Sequence, residues 1–275
     1  MGEIKLIALD MDGTLLTTDK KLTERNRAAL FRAHQAGIWI VPTTGRIFPG
    51  LPREVLELPF LRYAITANGA SVYDAAQERV ICRAEIPVER SVEVMEWLDG
   101  CPVIYDCYMD DKGWMTKAMR DQAAVYAPNP HYLEMINRLR QPVPELKAFL
   151  QERGQSVQKI QAFCLDVETQ KKLLEEAAKR FPDLVVSSSV SRNVEINHGD
   201  AHKGHGLLAL AAYLGLEPSQ TMAFGDGLND LTMIRDAGVG VAMGNAIDQV
   251  KALAQRVTAD NDSDGVALVI EELLE

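Results

Sequence analysis

Two aspartates, Asp10 and Asp12, stand one methionine apart at the end of an apolar run in IALDMDGTLL, residues 7 to 16. Carboxylates about 4 Å apart repel by roughly 4 kcal/mol at an effective dielectric near 20. A bound divalent cation offsets that cost, and so does a proton kept on one carboxyl group. Magnesium takes hard oxygen ligands, often one or two carboxylates, a carbonyl, waters and a substrate phosphate. Asp10 and Asp226, the latter in GDGLND, would supply the carboxylates. With its charge masked, Asp10 suits attack on phosphorus to give an aspartyl-phosphate. Asp12 suits the proton traffic, giving a proton to the leaving oxygen and later taking one from the attacking water. Gly13 permits a tight turn with close backbone approach, and Thr14 can donate a hydrogen bond nearby.

A phosphoryl group in transfer also needs positive partners. Lys203, at an expected helix start, and the hydroxyl and backbone N–H groups of Thr44 and Gly45 answer that need. Asp230 would hold either metal-bound water or Lys203, and Asn229 would either contact phosphate or orient Asp226. Arg46 suits an ion pair across a domain boundary and a substrate anion equally well. Asn68 suits a turn or a substrate contact. Plainer roles exist for each: turn acids for Asp10 and Asp12, a turn acid and a helix N-terminal acid for Asp226 and Asp230, helix caps for Thr43 and Thr44, and a surface lysine for Lys203. The combination of Asp10 with Asp226 and Asp230 favours metal, and the readings of Thr44 and Lys203 depend on it.

Residues this far apart must be brought together by the elements that carry them. Four apolar runs end in polar, glycine-bearing loops: IKLIALD, GIWIV, YAIT and TMAF. Each reads as a strand buried on both faces, as in a parallel sheet flanked by helices. Residues 23 to 36 begin at Thr23, a good N-cap, and stop at Gly37; residues 203 to 214 are apolar almost all round and end at Gly215. The alternation predicts a doubly wound α/β fold, in which ligands bind beyond the carboxyl ends of the strands. Residues 84 to 189 differ in texture, with seven prolines and no comparable punctuation, and read as an inserted second domain. The expected organisation is a core of residues 1–83 and 190–275 with an inserted α/β domain of residues 84–189. Within the insert, KIQAFCLDV and LVVSSS read as strands and ETQKKLLEEAAKRF as a helix. Tyr105, Tyr108, Trp114 and the serines at 187 to 189 could face a substrate there, although aromatic residues on a small sheet more often pack a core.

The 275 residues, 47% apolar, suffice for one or two domains. A formal net charge of −10 with no lysine-rich run argues against nucleic acid, so an anionic substrate must be drawn in locally. Four scattered cysteines match a reducing compartment. No basic and apolar leader and no membrane-length apolar run is evident, so a cytoplasmic enzyme is expected. Nothing in the sequence specifies an oligomeric state. His198, His202 and His205 read as loop histidines, because Gly199 and Asp200 break helical register between them. GVGVAMG has the wrong spacing for a dinucleotide fingerprint and reads as a strand and loop.

At this level the chain resembles the haloacid dehalogenase superfamily. DMDGTLL resembles its first motif, Thr44 in TTGR its second, Lys203 in AHKG its third and GDGLND its fourth, and GVGVAMGNA resembles the loop after the fourth. The insert between the second and third motifs, with ANGA before it and VEIN after it, resembles the Cof-type phosphatases with a large α/β cap. The segment NHGDAHKG departs from relatives, which tend to place a proline, a glycine and a small residue ahead of the lysine. The resemblance implies magnesium bound by Asp10, the Asp12 carbonyl and Asp226, with Asp230 near its outer shell. It also implies a cap that selects the substrate and hydrolysis of small phosphate monoesters such as sugar, flavin or pyridoxal phosphates. A phosphomutase of the same superfamily and a non-catalytic sugar-phosphate binder are the alternatives.

Overall fold

The computed structural model describes residues 3–188 and 190–275. The chain divides into two compact units, one comprising Met1–Gly45, Leu51–Cys82 and His202–Glu275, the other Arg46–Gly50 and Arg83–Ala201. In chain order the strands are β1 (Leu6–Asp10), β2 (Trp39–Thr43), β3 (Tyr63–Thr66), β4 (Ser71–Asp74), β5 (Arg79–Arg83), β6 (Val103–Met109), β7 (Lys112–Thr116), β8 (Arg140–Val143), β9 (Lys159–Cys164), β10 (Leu184–Ser187), β11 (Asn193–His198), β12 (Thr221–Gly225), β13 (Val239–Ala242) and β14 (Arg256–Val257).

In the first unit an eight-stranded sheet runs β14-β13-β12-β1-β2-β3-β4-β5. It is parallel from β14 to β3 and turns antiparallel at β4. Strand β1 is buried along its whole length, as expected of a strand covered by helices on both faces. Helix Glu24–Gln35 starts where Thr23 accepts the Asn26 N–H at 3.1 Å, and Gly37, at φ +83°, lets the chain turn back. Asn26 is buried in that helix. Its Nδ2 donates to the Leu15 carbonyl at 3.3 Å and its Oδ1 accepts the Ala267 N–H at 3.0 Å.

The second unit holds a six-stranded sheet in the order β10-β11-β9-β6-β7-β8. Alternation divides its residues between two faces. Tyr105, Cys107, Trp114, Ile160, Ala162, Val194 and Ile196 pack with helices Val88–Leu98, Leu146–Arg153 and Val167–Arg180 in one apolar cluster. The opposite face carries Ile104 and Phe163 in a smaller apolar cluster, together with buried Asp106, Tyr108, Lys159, Gln161, Asn193 and Glu195. Arg140 reaches Asp106 across β7 because Gly113 has no side chain; a Cβ there would lie 2.8 Å from Arg140 Cδ.

The unit boundary differs from the one the composition suggests. Residues 190–201 fall in the second unit because β11 pairs antiparallel with both β9 and β10. Residues 46–50 join it as well, with the Phe48 N–H donating to the Asp111 carboxylate at 3.1 and 3.2 Å. Tyr105 and Trp114 belong to the apolar cluster, whereas Tyr108 stands on the polar face beneath the Arg140 guanidinium. Ser188 Oγ bonds the Val190 carbonyl, and Ser189 lies outside the described residues. Among the described residues no helix is long and apolar enough to cross a membrane.

Candidate active site

Four segments of the first unit bring their polar ends to one edge of its sheet. Asp10 closes β1 opposite Thr43, which closes β2, and Asp226 follows directly on β12. Lys203 opens helix Lys203–Tyr213, whose N-cap His202 accepts the His205 N–H at 3.0 Å. Small residues let this helix approach closely. A Cβ at Gly204 would lie 2.5 Å from Asp236 Oδ2, and one at Gly206 would lie 2.6 Å from Ile65 Cγ2. The KGHG sequence therefore sets how deep Lys203 sits.

Lys203 is fully buried, and its ammonium bonds the Asp10 carboxylate and, at 2.6 Å, Asp230 Oδ1. The second oxygen of Asp230 accepts the N–H groups of Asp226 and Gly227, each at 2.9 Å. Thr14 donates its hydroxyl proton to Asp226 Oδ1 at 2.8 Å. Oxygens of Asp10, Asp226 and Asp230 all lie within 4.8 Å of one another. Gly13 makes the approach possible: its φ is +90°, and a Cβ would fall 2.5 Å from Asp226 Oδ2.

Electrostatics follow from this crowding. Burial, followed by the neighbouring Asp230, pushes the Asp10 carboxyl well above the usual carboxylate range, although Lys203 pulls the other way. Burial likewise pushes Asp226 up to about 6, with the Thr14 hydrogen bond opposing. For Lys203 burial disfavours the charge, and Asp10 and Asp230 outweigh it, so its pKa is raised. Three carboxylates face one ammonium, a deficit that a hard cation would fill. The donor set, all oxygen from carboxylates, is the one magnesium takes.

The second tier of expected residues is distributed more widely. Asp12 turns outward, and its Oδ1 lies 3.0 Å from Lys20 Nζ. Thr44 is buried, donating its N–H to the Ile65 carbonyl at 2.8 Å and accepting the Asn68 N–H at 3.0 Å. Gly45 lies against the Asn68 side chain, where a Cβ would come 2.8 Å from Oδ1. Asn68 adopts φ +59° between Ala67 at +48° and Gly69 at +93°, and a Cβ on Gly69 would lie 2.2 Å from the His202 carbonyl oxygen. The loop after β3 thus passes directly against the start of the Lys203 helix. Asn229 sits in the turn Leu228–Asp230, its Oδ1 beside Gly227. Arg46 is not among the residues assembled in the first unit; it opens the second, and its Nη1 donates to the Gly50 carbonyl at 3.2 Å.

Some supports escaped the sequence reading. Asn245 Nδ2 donates to the Gly13 carbonyl at 2.8 Å, and Asn261 Nδ2 donates to that of Leu16 at 3.0 Å. Thr18 bonds Asp262 through both its N–H and its hydroxyl. The run DNDSDG carries the turn composition that marks a loop, but composition does not say which loop it meets.

Residues 7–270 match the haloacid dehalogenase-like hydrolase family. The chain is 30% identical to the 5-amino-6-(5-phospho-D-ribitylamino)uracil phosphatase YwtE of Bacillus subtilis, covering 98% of each chain. It is 33% identical to the pyridoxal phosphate phosphatase YbhA of Escherichia coli, covering 97% of each. The crystal structure of a haloacid dehalogenase-like hydrolase from Bacteroides thetaiotaomicron superimposes with a TM-score of 0.82 at 27% identity, over 98% of this chain and 100% of that one. The chain belongs to the haloacid dehalogenase-like hydrolase family and is one of its Cof-type phosphatases.

Proposed function

We propose that this protein is a magnesium-dependent, cytoplasmic phosphatase that hydrolyses a small phosphate monoester, a sugar phosphate or a cofactor phosphate, through an aspartyl-phosphate on Asp10. The observation that carries the reading is the meeting of Asp10, Asp226 and Asp230 around one buried lysine. Asp10, the Asp12 carbonyl, Asp226 and Asp230 would hold the ion directly or through its waters. Bound there, magnesium supplies charge neutralisation and orientation for the transferring group.

The chain's own residues account for the remaining chemistry. A carboxylate oxygen of Asp10 forms a bond to phosphorus as the ester P–O bond breaks, and Asp12 gives its proton to the departing oxygen. Asp12 then takes a proton from water, whose oxygen attacks phosphorus while the Asp10–phosphorus bond breaks and inorganic phosphate leaves. Lys203 and the Thr44 hydroxyl, with the Gly45 N–H, serve the equatorial oxygens, whose charge redistributes during transfer. Arg46, Asn68 and Asn229 are assigned to substrate contacts. The inserted second unit serves as the cap that excludes water and selects among esters.

Two relatives named for phosphorylated small molecules, a pyridoxal phosphate phosphatase and a ribitylaminouracil phosphate phosphatase, support the substrate class. Turnover of p-nitrophenyl phosphate with magnesium, lost with chelator and in Asp10→Asn, tests the assignment. Phosphate release across sugar phosphates, flavin mononucleotide, pyridoxal phosphate and nucleotides then selects the substrate. Isomer interconversion without net phosphate release would instead mark a mutase.

A further inference from the structure

Two residues join β6 to β7, Asp110 at φ +52° and Asp111 at φ +56°. A two-residue hairpin of this kind, with φ positive at both positions, ordinarily has glycine second. Asp111 is also buried, and burial pushes its carboxyl up to about 6. Neither the turn nor the interior therefore favours an aspartate at this place. What its carboxylate does is accept the Phe48 N–H, at 3.2 Å on Oδ1 and 3.1 Å on Oδ2. The acceptor is fixed from behind. The Asp111 N–H donates to Gln158 Oε1 at 2.9 Å, the Gln158 N–H to the Tyr108 carbonyl at 2.7 Å, and Asn197 Nδ2 to the Gln158 carbonyl at 3.0 Å.

Phe48 belongs to a short excursion of the chain. The first unit ends at Gly45 and resumes at Leu51, and Arg46–Gly50 between them belongs to the second. The excursion closes on itself: the Gly50 N–H donates to the Ile47 carbonyl at 2.8 Å, and Arg46 Nη1 donates to the Gly50 carbonyl at 3.2 Å. Just before it, Thr44 is held by the Ile65 carbonyl and the Asn68 N–H. The stretch from Thr44 to Phe48 is thus gripped at both ends, by β3 and its loop on one side and by Asp111 on the other. Arg46 lies in the middle of it.

We propose that Asp111 is a positioning residue for Arg46: by holding the Phe48 N–H it fixes the turn that presents the guanidinium to the substrate anion. The inference rests on the reading of Arg46 as a substrate contact. No bond or proton changes hands at Asp111, so its loss should weaken binding of the anion and leave the chemical step nearly untouched.

Two variants separate the carboxyl from the backbone that carries it. Glycine suits the turn and offers no acceptor, whereas asparagine tolerates a positive φ and keeps an oxygen for Phe48. Both should fold, as circular dichroism will show. With p-nitrophenyl phosphate and magnesium, Asp111→Gly is expected to raise KM, and the inhibition constant of inorganic phosphate, about tenfold with kcat within about twofold, the pattern of one lost bond to a charged group. Asp111→Asn should stay within about twofold of the parent in all three, since the acceptor remains. Arg46→Ala should raise the same two constants, and adding Asp111→Gly to it should raise them no further, because one residue acts only through the other. The proposal is overturned, with the reading of Arg46 intact, if Asp111→Gly leaves KM unchanged or lowers kcat instead, if Asp111→Asn loses as much as Asp111→Gly, or if the two losses multiply in the double variant. Arg46→Ala with both constants unchanged removes the substrate-contact reading, and this proposal with it.

Discussion

Lys203 Nζ lies 2.6 Å from Asp230 Oδ1 while also bonding Asp10, so one fully buried ammonium joins the end of β1 to the turn after β12. The ammonium between them offsets the repulsion of the two carboxylates it joins. The far oxygen of Asp230 ties the same turn to its own backbone through the Asp226 and Gly227 N–H groups.

Removing that cation leaves buried carboxylates uncompensated. Lys203→Met is expected to lower stability by about 3–5 kcal/mol, the usual cost of breaking a buried pair from one side. Activity should fall at least about 100-fold, on the scale of losing one stabilising donor at a phosphoryl centre. Thermal melting and kcat for p-nitrophenyl phosphate check the two effects separately.

Gly13 is replaceable only by displacing Asp226. Gly13→Ala would place a methyl 2.5 Å from Asp226 Oδ2 at a φ of +90°. Strain of about 1–3 kcal/mol is expected from the backbone alone. Because Thr14 and Asp226 must shift together, magnesium affinity should drop about 10- to 100-fold, the range seen when the supports of a metal ligand are disturbed. Calorimetric titration with magnesium measures it.

Asp111 gives the second unit a pH dependence of its own. Burial raises its carboxyl from 3.8 to about 6, against the opposing Phe48 N–H bonds. Between those values the folded chain retains a proton that the unfolded chain releases, so stability is full below the lower value and falls as pH rises through the upper one. The loss is of order 3 kcal/mol, from about 1.4 kcal/mol for each unit of pKa. Asp111→Asn, which keeps an acceptor for Phe48, should remove it. Its melting temperature is expected to exceed the parent's near neutral pH and to match it in acid.

Much of this architecture is legible in the residues themselves. The four strand-to-polar-loop junctions place Asp10, Thr43, Asn68 and Asp226 at strand ends, because a run buried on both faces has to be apolar and its exit loop has to be polar. Strands β4 and β5 escape such reading: they lie beyond the parallel part of the sheet, and β5, at its edge, begins and ends on exposed arginines. Arg46 shows a different limit. The sequence leaves it equally suited to an ion pair across a domain boundary and to a substrate anion, and residues 46–50, with the Phe48 N–H bonded to Asp111, fall in the second unit. Asp12 and Lys20 illustrate a third, for the left-handed turn that points the lysine back depends on Asp262, more than two hundred residues away in sequence.

The polar face of the second sheet supplies a further prediction. Arg140 Nε donates to Asp106 Oδ2 at 2.7 Å and its Nη2 to the Tyr108 hydroxyl at 2.7 Å, with both charged side chains fully buried. Arg140→Met should cost about 3–5 kcal/mol, because it strands the Asp106 charge. Adding Asp106→Leu should recover most of that loss, since two apolar groups replace the pair together. Chemical denaturation of the single and double variants measures the coupling.

The central claim is that phosphorus passes through Asp10. Enzyme mixed with magnesium and a rapidly cleaved monoester, quenched in acid within the first turnover and digested, can be searched by mass spectrometry for a phosphoryl adduct. The account predicts a hydroxylamine-sensitive adduct on the peptide carrying Asp10, absent in Asp10→Asn. Full turnover by Asp10→Asn, or an adduct on any other residue, would contradict it.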